Sequence, residues 1–354
     1  MKTLIHIAIL IFSILFFSCS SKYAIKEPTK SWSPAGKAEE SLIQNGVSAY
    51  DSGNYKEAIS IYQNVLNRDR NNVKAMYELA LTYSAIEEHE KCLNLCYHAM
   101  EYQYPNLNQI YLLAGTELDV IGKSTEAVEV YEGAIERFPR DHMLHFNVGI
   151  TYLNLKEVKK AKNAFKSALY LRPTHSSSHL ALAMTFNSEG NYIPALFAYS
   201  RFLVLEPNSK RAESVRESIR KILGFGASKD PTKDNQINVT FNPSQPKDEG
   251  DFSSMSLFMS LNAALQMSKE QQAKSEKERL TETYESIIGF VDETLQQEKQ
   301  ESFSHKYYLP YFFEIKKQNY LPSFIEHIFQ FGNSDSTKLF LKWSEDFNWA
   351  STAS

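Results

Sequence analysis

The chain has 354 residues, 43% of them hydrophobic and 23% charged, with a formal net charge of −4. That length allows two domains, and the balanced charge, with no basic stripe, argues against a nucleic-acid binder. With only 13 glycines and 12 prolines and no clear strand alternation, the composition points to an all-α chain.

The chain opens on Lys2 and an apolar run from Leu4 to Phe17. This run is short of the ~20 residues that span a bilayer and suits the apolar part of a secretory signal. It closes on Phe16-Phe17-Ser18-Cys19. The pattern resembles a bacterial lipoprotein signal, which implies cleavage of residues 1–18 and acylation of Cys19, the candidate lipid anchor. Phe16 departs from that pattern, where leucine is commonest, and an ordinary signal peptide with an incidental cysteine is the plainer alternative. One acyl chain holds a protein only marginally on a membrane, whereas several hold it firmly. Loss of Lys2 takes the charge from −4 to −5. Ser20 after Cys19, with no acidic cluster behind it, implies an outer-membrane lipoprotein facing the periplasm, with surface exposure as the alternative. Residues 19–38, rich in Ser, Lys and Pro, read as a flexible tether with a reach on the order of 25 Å.

From residue 39 to 209 the sequence repeats. Gly46, Ala80, Gly115, Gly149 and Ala183 recur at steps of 34, 35, 34 and 34 residues. So do Ala58, Cys92, Ala127, Ala161 and Ala195, then Tyr62, Cys96, Tyr131, Phe165 and Tyr199, then Ala49, Tyr83, Leu118, Tyr152 and Phe186. Pro105, Pro139, Pro173 and Pro207 close four of the five units (39–72, 73–107, 108–141, 142–175 and 176–209). A fixed period of this size means stacked supersecondary units, none of which buries its apolar face alone. Small residues let two helices approach, large ones fill the space around them, and proline sets the turn to the next unit.

These columns resemble the tetratricopeptide repeat (TPR) family. Gly115, Leu118, Gly122, Ala127, Tyr131, Ala134 and Pro139 fit its pattern together, as do Gly149, Tyr152, Ala161, Phe165, Ala168 and Pro173. The resemblance implies an all-α, right-handed superhelical solenoid of five helix-turn-helix repeats. The second repeat departs most, with Cys92 and Cys96 in the Ala and aromatic columns and one extra residue between Ala99 and Pro105. In the fifth, Phe202 stands where a small residue is usual, which predicts looser or shifted packing.

In this family the first helix of each hairpin lines a concave groove. The resemblance places Ile43, Tyr77, Leu112, Phe146 and Leu180 there, with Val47, Leu81, Thr116, Ile150 and Met184 one turn on. Nine of these ten are apolar, without the Lys and Asn that clamp a peptide carboxylate in relatives. So apolar a stripe predicts a cover, such as an amphipathic helix of a partner or of the chain itself. The alternative is a tight winding in which these residues touch one another.

Residues 210–224 read as a capping helix, with Val215, Ile219, Ile222 and Leu223 on one face. Residues 225–251 read as a linker. Residues 252–350 predict a small C-terminal bundle of four or five helices, with a core of aromatics from Phe303 to Trp349. Leu257, Phe258, Leu261 and Leu265 form an apolar stripe that could act as an internal helix filling the groove. Pro310 and Pro322 suit helix first turns and Gly332 a helix end.

Little in the sequence suggests chemistry. Cys92 and Cys96 lie one turn apart in buried columns, which favours packing over a metal site or a disulfide. His145 and His179 share a column and read as contacts between repeats. No phosphate loop, nucleophile elbow or paired metal histidines occur, so no catalytic residue, metal or cofactor is expected. The sequence therefore predicts a non-catalytic, membrane-anchored scaffold of the cell envelope that binds a protein or peptide, with no nucleic acid or small-molecule substrate. Two alternatives remain: a structural envelope protein whose groove its own C-terminal domain fills, and an enzyme in that domain. The latter would need His305, Glu314, Glu326 and His327 to converge.

Overall fold

The computed structural model describes residues 27–230, 236–240, 248–250, 252–295 and 302–352. The signal segment 1–18 and Cys19 lie outside them. The chain forms two compact units that meet in sequence at Gly133 and Ala134.

The first unit holds the hairpins α1 (Lys37–Asp51) with α2 (Tyr55–Arg68) and α3 (Val73–Ala85) with α4 (His89–Ala99), then α5 (Leu107–Val120) and the start of α6 (Ser124–Arg137). The small-residue column works within each hairpin. A Cβ on Gly115 would fall 2.5 Å from the Tyr131 ring, and one on Gly46 would strike Tyr62. The glycine lets an aromatic of the second helix lie flat on the first. Where Cys96 shortens that side chain, Ala80 takes the glycine's place.

Part of the expected tether is built into this unit. Lys30 pairs with Tyr102 in a parallel bridge: its N–H donates to the Glu101 carbonyl, and its carbonyl accepts from Gln103. Trp32 meets Tyr104 edge-on at 5.4 Å. Residues 101–103 belong to the longer exit of the second repeat, whose extra residue frees an extended stretch of backbone for a partner. Residues 27–36 thus lie against the second hairpin instead of hanging free.

The second unit continues with α7 (His142–Asn154), α8 (Val158–Leu171), α9 (Ser176–Ser188), α10 (Tyr192–Leu205) and α11 (Ala212–Leu223). Gly149 repeats the first unit's device: a Cβ there would fall 2.5 Å from the Phe165 ring. The expected linker contains an antiparallel ribbon, β1 (Ala227–Lys229) with β2 (Ile237–Val239), in the register Ala227 to Val239. Then come α12 (Ser253–Leu265), the single turn α13 (Lys269–Gln272) and α14 (Glu276–Leu295). A π-helical turn (Ser304–Tyr308) leads into α15 (Leu309–Lys317), α16 (Leu321–Phe329), α17 (Asp335–Asp346) and a final 3₁₀ turn (Trp349–Thr352). Pro310 and Pro322 sit in the first turns of α15 and α16. Gln330, with φ 61°, takes the left-handed position ending α16 that Gly332 was expected to provide.

The C-terminal helices dock on α10, which is buried from Ile193 through Val204. Phe197 meets Phe312 at 4.5 Å, Ser200 bonds Tyr284 at 2.7 Å, and His327 Nε2 donates to the Val204 carbonyl at 3.1 Å. The helix α11 is therefore no terminal cap. Buried Arg216 donates to the Ile328 carbonyl, and Arg220 pairs with Glu276 at 2.9 Å. Phe202 is fully buried beneath Arg211, so the looser packing expected around it is absent.

Candidate binding surfaces

The ten groove candidates sit on the first helices of the hairpins. In the first unit Ile43 is fully buried, Val47, Tyr77, Leu81 and Leu112 are half-buried, and Thr116 is exposed. In the second, Phe146, Ile150 and Leu180 are half-buried and Met184 is 57% exposed. Part of that burial comes from neighbouring side chains outside the ten. Phe146 lies 4.9 Å from the His175 ring and 5.9 Å from Phe165, while Thr116 Oγ bonds the Tyr131 hydroxyl at 2.9 Å. In the second unit these first helices present a partly covered apolar surface that offers Met184 to solvent.

The stripe on α12 does not fill this surface. Met255, Ser256, Met259, Ser260 and Ala263 of α12 are buried, and the helix packs on the ribbon and α14. Phe258 stacks on Phe290 at 4.3 Å, and Ser260 Oγ donates to the Thr240 carbonyl. Leu257, Leu261 and Leu265 are 42%, 52% and 56% exposed. The inner face of α12 is taken by its own neighbours, so the leucines point away from the unit. The C-terminal helices do not fill the groove throughout: they pack on α10, on Leu169 of α8 and on His179 of α9, and leave Met184 bare among the described residues.

The four residues of the enzyme alternative do not converge. Glu314 pairs with Lys317, and His327 bonds α10 backbone. Lys277, helped by the Ser334 amide, holds the Glu326 carboxyl down at about 2. His305 stacks on Phe252 at 4.9 Å, and burial pulls it down to about 4. Each is committed to a separate structural contact. No group of three or more His, Cys, Asp or Glu that could hold a metal occurs among the described residues. Cys92 and Cys96 are buried and free, and the Cys96 thiol is pushed up by its bond to Cys92 and by burial. A thiol held protonated is a poor nucleophile.

The paired histidines have a clear role. His145 Nε2 donates to the Pro139 carbonyl at 3.0 Å, and His179 Nε2 to the Pro173 carbonyl at 2.9 Å. Each therefore ties a first helix to the proline closing the previous repeat. The Tyr308 hydroxyl then donates to His179 Nδ1 at 2.8 Å, and burial pulls this ring down to about 3.

What sequence reasoning missed is an all-neutral cage around Arg201 of α10. This guanidinium is 2% exposed and lies 4.9 and 4.8 Å from the Tyr311 and Trp349 rings. It donates to Ser344 at 2.8 Å and Tyr311 at 3.2 Å. The signal was present: α10 reads YIPALFAYSRFLVL, apolar on every side, and such a helix is buried all round.

Antiparallel helical hairpins with a small-residue column under an aromatic one, and a side-chain surface on their first helices, define a helical-repeat binding protein. The family model of the tetratricopeptide repeat matches residues 43–90 and 112–192. Over those segments the chain carries tetratricopeptide repeats. It is 24% identical over 160 residues to BBSome complex member BBS4 of Bos taurus, covering 45% of this chain and 30% of that one. It is 24% identical over 185 residues to Hsp70-Hsp90 organizing protein 1 of Arabidopsis thaliana, covering 51% and 32%. The chain thus spans less than a third of the length of either curated relative. Among solved structures, a thermophilic TPR protein of Thermus thermophilus is 24% identical and matches 52% of this chain and 98% of its own, with a TM-score of 0.43. YrrB, a TPR protein with an unusual peptide-binding site, is 17% identical over 51% and 94%, with a TM-score of 0.40. Repeats of this family generally mediate protein–protein contacts and are generally non-catalytic.

Proposed function

We propose that the protein is a non-catalytic scaffold or assembly factor of the bacterial cell envelope, anchored through lipid on Cys19. The first-helix surfaces take an apolar helix or peptide. The observation that supports this reading is the state of those surfaces: mostly apolar, largely half-buried, and open at Met184. A partner helix would complete the burial there. The anchor rests on the run ending at Cys19, and Ser20 favours the outer membrane facing the periplasm.

The two halves of this reading are tested separately. Met184→Asp together with Leu180→Asp should abolish capture of partner proteins from envelope extract while leaving helical content unchanged. Undiminished capture would remove the groove from the reading. For the anchor, Cys19→Ala should move the protein from the membrane to the soluble fraction and end its labelling by fatty acid; unchanged fractionation would refute it. A truncation at Gly224 is unsuitable for the groove test, because it would bare the whole docking face of α10.

A further inference from the structure

We infer a second docking surface, on the C-terminal helices and distinct from the repeat surface, built to take a basic amphipathic helix. The floor is Gly289 and Phe290 of α14, and Phe258, Leu261 and Leu265 of α12 form one wall of a cleft of about 550 Å³. Leu257, Leu261 and Leu265 recur every four residues, so they form a single stripe about 12 Å long, or two helical turns. All three are exposed by 42% or more. Glu285 and Glu293 of α14 also line the cleft, eight residues apart and therefore about as far from each other along their helix as Leu257 is from Leu265.

Charge selects the occupant. The helix α12 has no charged residue from Ser253 to Leu265. The ionisable groups lining the cleft are Glu285, Glu293 and Lys316, an excess of carboxylate. Lys316 belongs to α15 and its ammonium reaches over the floor, where a Cβ on Gly289 would fall 2.8 Å from it. A second copy of the chain would bring the same acidic excess, and anionic lipid headgroups would be repelled by the rim. A helix with an apolar stripe and Lys or Arg spaced seven to eight residues apart on one flank would bury the leucines and pair with both glutamates.

The test uses the intact chain and two fluorescent helical peptides sharing one leucine stripe, one flanked by lysines and the other by glutamates. The lysine peptide should bind and the glutamate peptide should not. Leu261→Asp with Leu265→Asp should weaken binding by about tenfold or more, and Met184→Asp should leave it unchanged. Both leucines are exposed, so the fold should survive; the independent variant Glu285→Lys with Glu293→Lys should reverse the preference between peptides. Equal binding of the two peptides, or indifference to both variants, overturns the proposal. So does a self-association in sedimentation that Leu261→Asp abolishes, since a second copy is then the occupant. Stronger binding to phosphatidylcholine–phosphatidylglycerol vesicles than to the lysine peptide would assign the stripe to lipid and equally overturn it.

Discussion

The two units share one hairpin and finish it differently. In the first, a short extended segment at Lys30 pairs with the exit of the second repeat through backbone hydrogen bonds and a partly exposed Lys30–Glu101 ion pair. In the second, the last hairpin is closed by aromatic helices, and polar groups are buried with them: Arg201, His179 and Lys162 are each at most 2% exposed. The repeat core is generic, whereas the closure of the second unit is specific to this chain. Substitutions in the shared core should therefore cost the same in both units. Substitutions in the closure should be felt in the second alone.

Arg201→Ala should show the largest effect. It removes a guanidinium held between two rings and leaves a cavity under α17, at a cost of about 3 kcal/mol. Hydrogen exchange should accelerate across α10, α15 and α17 and stay unchanged in α1 to α4. Equal acceleration in both would break the comparison.

The shared core gives the next prediction. Gly115→Ala and Gly149→Ala each force a methyl to within 2.5 Å of a ring, and each should cost about 2 kcal/mol. Denaturation midpoints of the two variants should fall by similar amounts. Adding Tyr131→Leu or Phe165→Leu should restore part of the loss. A large difference between the two sites would mean that the hairpins are not equivalent.

How far the chain could be read without its structure follows the same division. The repeat hairpins recur five times, so each column is an internal control, and Gly46, Gly115 and Gly149 identify the close approach before any coordinates exist. The C-terminal helices occur once. Their stripes show which residues are apolar but not which neighbour takes each face. On that basis Leu257, Leu261 and Leu265 were assigned to the groove, although the opposite face of α12 is the packed one. The better clue lay in α10, whose sequence lacks the charged side that α2 and α8 both carry. Arg201 hid the signal by supplying the one charge, which turns out to be buried among neutral partners.

Acid should separate the units as well. His179 is buried neutral and pulled down to about 3, while burial draws His175 and His305 down to about 4. Their lowered values mean that the unfolded chain takes up protons first. The stability they support is complete above about 6.5 and is lost as pH falls toward those values. At pH 5, His179 alone should account for about 2 kcal/mol of loss. The carboxyl of Glu326, held at about 2, adds its own loss only below about 4.5. Hydrogen exchange between pH 7 and 5 should weaken protection in the second unit first, and His179→Gln should flatten that dependence. An unchanged slope in the variant would show that His179 is not the group responsible.

The smallest effect sharpens the comparison most, because it treats both units alike. Every hairpin turn has one left-handed residue: Gly53, Glu87, Gly122, Lys156 and Gly190, with φ between 61° and 81°. In each case the following residue donates its N–H to a carbonyl five positions back, as Asn54 does to Ala49 and Glu157 to Tyr152, at 2.8 Å in both. This motif ends helices most easily on glycine, which has no Cβ to strain there. Glu87 and Lys156 carry that strain without glycine, one in each unit. Glu87→Gly and Lys156→Gly should each stabilise by about 0.5–1 kcal/mol, and Gly122→Ala should destabilise by a similar amount. Thermal midpoints decide it. A fall in midpoint for Lys156→Gly would mean that its side chain contributes more in the second unit than its backbone strain removes, and the hairpins would then differ even at their turns.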